Sequence, residues 1–432
     1  MRSTVQLSRI LRVALLCAGA LPVVALLTAA PAFAAQAPPA VQAPAAALAP
    51  SAAAAIPRAP LPQKAWTIMV YMDGDNDLEG WITRDIEREL CRPGSNADVN
   101  VVCIADRIRG HDTSRSNWTD TKLFYCTKGM SAIPRSAVAD LGERNMGDPQ
   151  TLIDFVTWAK TSYPADKYAL VFWDHGYLWF PDYTMWDETS KDGLDQDELV
   201  AALEKCAPVD VIGWDCCNMQ TIEVGATVRP YAQAMVGSEE YTNWEGLQYD
   251  KFVANLEAYP WWTAEQLAAN MAATARGDNV TFSSIMLDAR FADLVTAVDR
   301  WAIALKKGLA ANRRAYGAAL KASQPFYDGA GERDLYSVAN QIRRRVTSPS
   351  IKASCEAVMN AVLTNVTYNW VHLGVVDGFT YNRCHGLAIW WPQRHSQLNP
   401  SWGSGHDWAY YRTRLAFAAH THWDEFLAAY VR

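Results

Sequence analysis

The chain has 432 residues, half of them hydrophobic, and a formal net charge of −7 at pH 7. A chain of this size and composition can bury one large core or two smaller ones, which excludes an intrinsically disordered protein. Because the balance is acidic and both charge signs are spread along the chain, the basic patch of a nucleic-acid-binding protein is also excluded.

The first residues predict an export signal. Three arginines precede a short apolar segment, Val13 to Leu27, and Ala32-Phe33-Ala34 supplies small residues for cleavage. We therefore predict a signal peptide over residues 1–34, a secreted or periplasmic location, and no stable membrane insertion after signal removal. A membrane anchor is the alternative, but the apolar segment is short and contains glycine and proline.

Residues 35–63 are almost wholly alanine and proline. Such a stretch cannot bury enough apolar surface to fold, so it is predicted to be an extended linker. The folded part is expected to begin near Lys64. Eight cysteines remain after signal removal, too few in a chain this long for a dense disulfide framework.

Apolar, β-branched runs then alternate with segments of helical spacing. The predicted strands are Trp66–Met72, Val99–Asp106, Lys122–Cys126, Tyr168–His175, Val209–Ile212, one within Ala232–Glu240, and a late pair at Val371–Val376 and Gly386–Trp391. The predicted helices are Leu78–Cys91, one from Asp148, Thr263–Arg276 and Asp288–Leu309. This alternation predicts an α/β fold with a mostly parallel sheet flanked by helices on both faces.

Two adjacent cysteines, Cys216 and Cys217, follow a buried strand. We expect a helix to begin directly after them, and a helix start favours negative charge, which makes a thiolate available. A nucleophile is one interpretation and simple core packing is the other. His175 and the segment Ser238-Glu239-Glu240 also stand at strand ends, so all should meet at one edge of the sheet.

A cysteine nucleophile needs an acid–base partner within hydrogen-bond reach, and His175 is the candidate. Gly176 follows it directly. Without a side chain, this residue lets the backbone approach a substrate and can offer its N–H to a developing oxyanion.

Several motifs occur in order between about residues 65 and 250: WTIMVYMDGDNDLE, NMGDPQTL, a strand ending in His-Gly, a strand ending in Asp-x-Cys-x-Met, and SEE. This combination resembles the clostripain family of cysteine peptidases, which have a caspase-like fold. The resemblance implies a caspase-like catalytic core over residues 64–250. Residues 251–432 would complete the sheet and add a mainly helical subdomain.

The resemblance also implies roles for single residues. His175 would be the catalytic histidine and Cys217 the nucleophile, because Asp215 and Met219 set the register of the family pattern. Cys216 falls where the family has a small residue. The N–H groups of Gly176 and Cys217 would form the oxyanion hole. Tyr177 and Leu178 replace smaller family residues, which leaves the substrate preference open.

The family resemblance implies cleavage after Arg or Lys in protein or peptide substrates. Asp215 would lie at the base of the specificity pocket, with Thr242 and Glu245 as further pocket residues. A carboxylate at the bottom of an apolar slot selects a long cationic side chain. Lys191, between the histidine and cysteine strands, is the predicted point of self-cleavage.

Two acidic stretches make calcium a candidate cofactor, although the chemistry requires none and we assign no metal ligand. The first, DGDND from Asp73, fails the EF-hand pattern because Leu78 and Arg84 occupy its sixth and twelfth positions. The second is Asp187–Glu198. A solvated acidic loop is the alternative interpretation of both stretches.

Two other functions stay open from the sequence. The eighteen tryptophans suggest a secreted glycoside hydrolase that uses paired carboxylates such as Asp174 and Glu239. Most of them lie in apolar runs, however, as in Trp261-Trp262 and Trp390-Trp391, which indicates core packing. A catalytically inactive surface-binding module of the same fold is the other alternative.

Overall fold

The computed structural model describes residues 62–431 apart from residue 182 and residues 276–278, 327–330, 377 and 402–404. The predicted signal peptide and residues 35–61 of the predicted linker lie outside the described residues. None of the described helices is long and apolar enough to cross a membrane.

The first part of the chain alternates strands and helices. In order, its elements are β1 (Lys64–Gly74), α1 (Glu79–Asp85) with a π-helical turn (Ile86–Leu90), β2 (Val99–Arg107), β3 (Thr121–Tyr125), a 3₁₀ turn (Pro134–Ser136), β4 (Ala139–Gly142), α2 (Pro149–Ser162), β5 (Ala165–Trp173), α3 (Gln196–Cys206), β6 (Val211–Asp215), α4 (Ile222–Val228) and β7 (Ala234–Gly237).

The second part is mainly helical. Its elements are α5 (Tyr249–Ala258), α6 (Ala264–Thr274), β8 (Thr281–Met286), α7 (Ala289–Ala322), β9 (Glu332–Asp334), α8 (Leu335–Arg345), α9 (Pro349–Asn365), β10 (Val366–Val371), β11 (Val375–Val376), β12 (Phe379–Thr380), β13 (Ala388–Trp390), a 3₁₀ turn (His395–Gln397), α10 (Asp407–Arg414), α11 (Ala416–Ala419) and α12 (Trp423–Tyr430). The domain boundary predicted at residue 250 falls in the first turn of α5 and stays a prediction.

A nine-stranded sheet in the order β10-β8-β7-β6-β5-β1-β2-β3-β4 organises the described residues. Its central strands β7, β6, β5, β1 and β2 run parallel. The flanking pairs on both sides are antiparallel. The mostly parallel sheet predicted from the sequence is confirmed.

Both faces of the sheet are covered, which explains why its central strands are apolar throughout. In β1, Met69 and Tyr71 belong to one buried cluster, whereas Ile68 and Val70 belong to the cluster on the other face. The helices predicted on both faces supply the rest of these two clusters. The carboxyl ends of its parallel strands therefore lie together at one edge of a sheet that is covered on both faces.

The predicted late strand pair is wrong. The residues around Val371 form β10, which pairs with β8, and β13 pairs with β9 instead. The sequence pattern marks residues of extended conformation but not their partners, because strand pairing depends on contacts distant in sequence. Helix α7 also continues to Ala322, beyond the predicted end at Leu309.

Nine of the seventeen tryptophans that the structure describes are buried, in agreement with the prediction of core packing. Trp390 and Trp391 are fully buried and form edge-on contacts with other aromatic rings. Trp261 does not follow the prediction, because its side chain is 69% exposed.

Candidate active site

The register of β5 and β6 places His175 and Cys217 at the same level of the sheet. Trp173 pairs with Asp215, and each strand ends at that pair. His175 follows Trp173 in the chain as Cys217 follows Asp215. The two predicted catalytic residues therefore leave neighbouring parallel strands together, at the carboxyl edge where ligand sites form.

His175 forms a close contact with Asp77, in the loop after β1. The distance from His175 Nε2 to Asp77 Oδ1 is 2.8 Å. Burial works against the charged imidazolium, but the hydrogen bond to Asp77 and the charges of Asp174, Asp77 and Glu188 raise the pKa of His175. The pKa of Asp77 is lowered: burial opposes its ionisation, and the contact with His175 outweighs burial. The contact thus favours the charged form of both groups.

Asp77 is not among the site residues predicted from the sequence. It lies in the acidic turn DGDND, in which several residues carry carboxyl or amide groups. The position of this turn could have indicated Asp77, since a turn at the carboxyl end of a parallel strand is expected at the edge of the sheet where ligands bind. The spacing alone did not show which carboxylate reaches His175.

Cys217 is half-buried, and its sulfur is held by the segment after β7. The backbone N–H of Thr242 donates to Cys217 Sγ at 3.3 Å. The Thr242 hydroxyl donates to the carbonyl oxygen of Cys216 at 2.9 Å. The structure thus brings Thr242, a predicted pocket residue, into contact with the predicted nucleophile.

Cys216 is buried, and its side chain contacts the neighbouring strand β5. Its thiol donates to the carbonyl oxygen of Phe172 at 3.4 Å. Burial raises its pKa well above the ordinary value, and the charges of Asp174 and Asp215 add to this. Cys216 is therefore a protonated packing residue.

Gly176 leaves no room for a side chain. A Cβ at this position would lie 2.7 Å from Cys216 Cβ and 3.0 Å from the carbonyl oxygen of Cys217. The backbone after His175 is therefore pressed against the cysteine loop. This close approach explains the glycine that follows the histidine.

The turn after Cys217 depends on Asn218, whose φ is 57°. Its N–H donates to the carbonyl oxygen of Glu240 at 3.0 Å, and its side-chain amide donates to that of Glu239 at 3.2 Å. Asparagine is one of the few residues other than glycine that adopts this left-handed conformation readily. The SEE segment thus stabilises the turn after Cys217 by accepting these two hydrogen bonds.

The helix expected directly after the cysteines begins later than predicted. Helix α4 starts at Ile222, and its cap Thr221 accepts a hydrogen bond from Val224 N. The residues from Cys217 to Gln220 form the turn described above. Cys217 therefore does not lie at the start of the helix. Instead, the backbone N–H of Thr242 donates a hydrogen bond to its sulfur.

Asp215 lies buried at the end of β6. Its two oxygens accept hydrogen bonds from Leu247 N at 2.8 Å and from the Tyr249 hydroxyl at 2.9 Å. Gly246, with φ of 50°, presses the backbone against this carboxylate. Burial raises the pKa of Asp215 to about 6, although both hydrogen bonds lower it.

The loop that covers Asp215 carries the other predicted pocket residues, Thr242 and Glu245. Glu245 is exposed on this loop. Trp244 anchors the loop by stacking on Trp81 of α1, with ring centroids 5.6 Å apart. This stack is not predictable from the sequence, because the two tryptophans are distant in the chain.

Lys191 is exposed in a tight hairpin between β5 and α3. Asp187 N and Asp192 O, the hairpin's base, are 2.9 Å apart, and Lys191 itself has φ of 57°. The residue is therefore accessible, but it is not in the extended conformation that a peptidase binds.

The two carboxylates considered for glycoside hydrolysis are closed off from solvent. Asp174 is 4% exposed and accepts hydrogen bonds from Asn76 and from Trp186 N. Glu239 is 1% exposed, and burial together with the charge of Asp334 raises its pKa well above the ordinary value.

Comparison with known proteins identifies the family. A model of the clostripain family matches residues 70–430. Clostripain from Hathewaya histolytica is 28% identical over 221 residues, 44% of this chain and 42% of clostripain. The matched region thus spans less than half the length of that relative.

Solved structures share the fold. One is a secreted C11 cysteine protease from Bacteroides thetaiotaomicron in complex with an irreversible peptide inhibitor, with TM-score 0.61 and 20% identity over 83% of this chain and 99% of that chain. Another is an inactive zymogen C11 protease from Parabacteroides distasonis, with TM-score 0.63 and 19% identity. This match covers 83% of this chain and 98% of that chain. These likenesses confirm the predicted caspase-like fold. Because the family model spans most of its length, the chain belongs to the clostripain family of cysteine peptidases.

Proposed function

We propose that the chain is an exported cysteine endopeptidase that cleaves peptide bonds after Arg or Lys. The observation that carries this proposal is the register of β5 and β6, which places His175 and Cys217 side by side at the carboxyl edge of the sheet. Family membership supports the same chemistry.

In the proposed reaction, the Cys217 thiolate attacks the carbonyl carbon of the scissile bond, and His175 donates a proton to the leaving amine. Since Asp77 occupies Nε2 of His175, the other ring nitrogen, Nδ1, would handle the proton. Water then releases the acyl group from Cys217. The N–H groups of Gly176 and Cys217 would bind the oxyanion.

Specificity for a basic residue would come from Asp215. Its carboxylate is buried, so a cationic side chain that reaches it replaces lost hydration with a direct charge contact. Thr242 and Glu245 lie on the loop over Asp215, and the exposed Glu245 would add negative charge at the pocket entrance. The partners are therefore proteins or peptides with Arg or Lys before the scissile bond.

We also propose self-cleavage after Lys191. Lys191 and Lys205 are the two basic residues between His175 and Cys217. Lys205 lies within helix α3, which shields its backbone, whereas Lys191 is exposed in a hairpin. Because its backbone is left-handed, the hairpin must open before cleavage.

Chromogenic Arg and Lys peptides test the mechanism in a matched pair of variants. Cys217→Ala should abolish hydrolysis, and alkylation of the wild type should do the same. Cys216→Ala should retain activity, because the Cys216 thiol is buried and protonated. Hydrolysis that survives both Cys217→Ala and alkylation would exclude the cysteine mechanism. No activity in any form would favour the binding module instead.

A further inference from the structure

Helix α7 (Ala289–Ala322), the longest helix among the described residues, carries an excess of positive charge. It contains seven lysine or arginine residues and two aspartates, although the chain as a whole has a net charge of −7. Its apolar side chains, among them Val298, Leu305 and Tyr316, recur at helical spacing and are buried. The helix therefore packs by one face and presents a charged face to solvent.

Two rows of charge run along α7, each with a spacing of seven residues. The first row is bound to α12. Lys306 forms an ion pair with Glu425 at 2.8 Å, and Arg313 donates a hydrogen bond to the carbonyl oxygen of Ala429 at 2.9 Å. This row therefore has a structural role, since it attaches α12 to α7.

The second row, which we call the basic row, has no such partner. It consists of Arg300, Lys307, Arg314 and Lys321, and all four are exposed. Within the part of the chain that the structure describes, none of the four forms an ion pair or a side-chain hydrogen bond. Seven residues make almost two full helical turns, so the four side chains share one face and span about 32 Å along the helix axis.

The sequence around the basic row contains nothing that neutralises it. No acidic residue lies three or four positions from any of its members. Within α7, those positions hold Thr296, Ala297, Ile303, Ala304, Ala310, Ala311, Gly317 and Ala318. A solvated helix face commonly mixes both charge signs, because opposite charges at these spacings stabilise the helix. The basic row lacks such pairs, and its mostly small neighbours leave the cations accessible.

The two helices that pack against α7 add further positive charge. Arg344 and Arg345 of α8 and Lys352 of α9 are exposed. None of these three residues forms an ion pair with another described residue. Unpaired positive charge therefore comes from three helices that pack together and not from a single row alone.

We propose that the basic row, together with the charges of α8 and α9, docks on the surface of a membrane that contains anionic phospholipids. Basic residues held near such a surface each add to binding, and several together make it measurable. A nucleic-acid strand fits less well. Its phosphates recur about every 3.4 Å, whereas the cations of the basic row are about 10.5 Å apart.

Docking would be electrostatic and without insertion. The apolar side of α7 is buried in the core, so this helix cannot place an apolar face among lipid tails as an amphipathic membrane helix does. This agrees with the prediction of no stable membrane insertion after signal removal. Because the attraction acts between exposed charges, added salt should weaken it.

The test uses the chain from Ala35 onwards, since the apolar segment of the predicted signal peptide would itself bind lipid. The Cys217→Ala substitution excludes self-cleavage. The protein is sedimented with vesicles of mixed phosphatidylglycerol and phosphatidylcholine, and with vesicles of phosphatidylcholine alone. We expect saturable binding to the mixed vesicles at low salt, loss of this binding as salt is added, and no binding to phosphatidylcholine.

A matched pair of double variants tests the basic row. Lys307→Gln with Arg314→Gln should lower the partition coefficient about fivefold for each charge removed. Arg88→Gln with Arg135→Gln removes two exposed, unpaired arginines outside helices α7 to α9, so it changes the net charge equally. This control should bind as the parent protein does. Thermal unfolding of both variants should be unchanged, because all four side chains are exposed.

Three results would overturn the proposal. The first is no binding to the mixed vesicles even at low salt. The second is an equal loss of binding in the two double variants, which would show that net charge alone governs it. The third is binding of polyglutamate without binding of vesicles, which would make a soluble acidic polymer the partner. None of these measurements depends on peptide hydrolysis, so failure of this proposal and failure of the proposed activity remain distinguishable.

Discussion

At the residue scale, the contact between His175 and Asp77 gives the imidazole a fixed orientation. Asp77 does not reach the substrate in the proposed reaction, so it is a positioning residue. Asp77→Asn should lower kcat about a hundredfold and change KM little, because general acid catalysis depends on a correctly oriented ring. Steady-state kinetics with a chromogenic Lys peptide would measure both constants.

Glu188→Gln is the matched control for Asp77→Asn. The charge of Glu188 also acts on His175, but no hydrogen bond joins the two side chains. If both variants lowered kcat equally, charge and not orientation would be the contribution of Asp77. An unchanged kcat in Asp77→Asn would contradict the positioning role.

Asp215 should set an acidic limit on activity. The pKa of Asp215 is about 6, so below that pH the carboxyl is neutral and binds a cationic side chain weakly. The value of kcat/KM for Lys peptides should therefore fall as pH falls through about 6. The groups that face Asp215 are the Tyr249 hydroxyl, Asp85 and the Cys216 thiol.

Tyr249→Phe sharpens this prediction. The Tyr249 hydroxyl donates to Asp215 and lowers its pKa, so removing the hydroxyl should move the limit to higher pH. Peptides with Gln before the scissile bond should lack this limit, since they carry no charge. Persistence of the limit in Asp215→Asn would show that another group causes it.

At the element scale, the turn between β6 and α4 holds Cys217, the proposed nucleophile. Asn218 combines a left-handed backbone with two hydrogen bonds to the SEE segment. Asn218→Ala should lower the free energy of unfolding by about 2 kcal/mol, from the left-handed conformation and the lost side-chain bonds to Glu239 and Glu332. Asn218→Gly should recover the backbone part of this loss. Denaturant unfolding of both variants in the Cys217→Ala background would compare them, and equal losses would contradict the backbone argument.

The elements show where sequence patterns succeed. Apolar strands such as β1, β5 and β6 were predicted because both faces of each are buried, which leaves an unmistakable run of apolar residues. The pairing partners of β10 and β13 were not predicted, since such short strands carry no sequence signal for their register. The late start of α4 was missed because residues 217–220 could equally form a first helical turn.

At the scale of the whole molecule, the sheet order determines the site. The resemblance supplied His175 and Cys217, and the register of β5 and β6 explains why they are neighbours. Asp106 and Glu143 could not be predicted as partners of Asp75 and Asp187, because only the folded sheet brings these four residues together. The sequence therefore predicts the local chemistry of the site but not the contacts between segments that are distant in the chain.

Cleavage after Lys191 should produce two fragments that stay associated. The cut would separate β5 from β6, which are hydrogen-bonded neighbours in the sheet. Active wild-type protein should therefore show two bands on a denaturing gel and one species in gel filtration. Lys191→Ala should remain a single chain, and Lys205→Ala should be processed normally. Processing of Lys191→Ala at an unchanged rate would exclude this site.

Because the hairpin lies between β5 and β6, the proposed cleavage would make the protein a split enzyme. One fragment would carry the acid–base residue and the other the nucleophile, so neither could act alone. Each fragment alone would expose a new edge of the central sheet, β5 in one and β6 in the other, and these two edges pair with each other in the structure. Coexpression of residues 64–191 with 192–432 should thus reconstitute activity from two separately encoded chains.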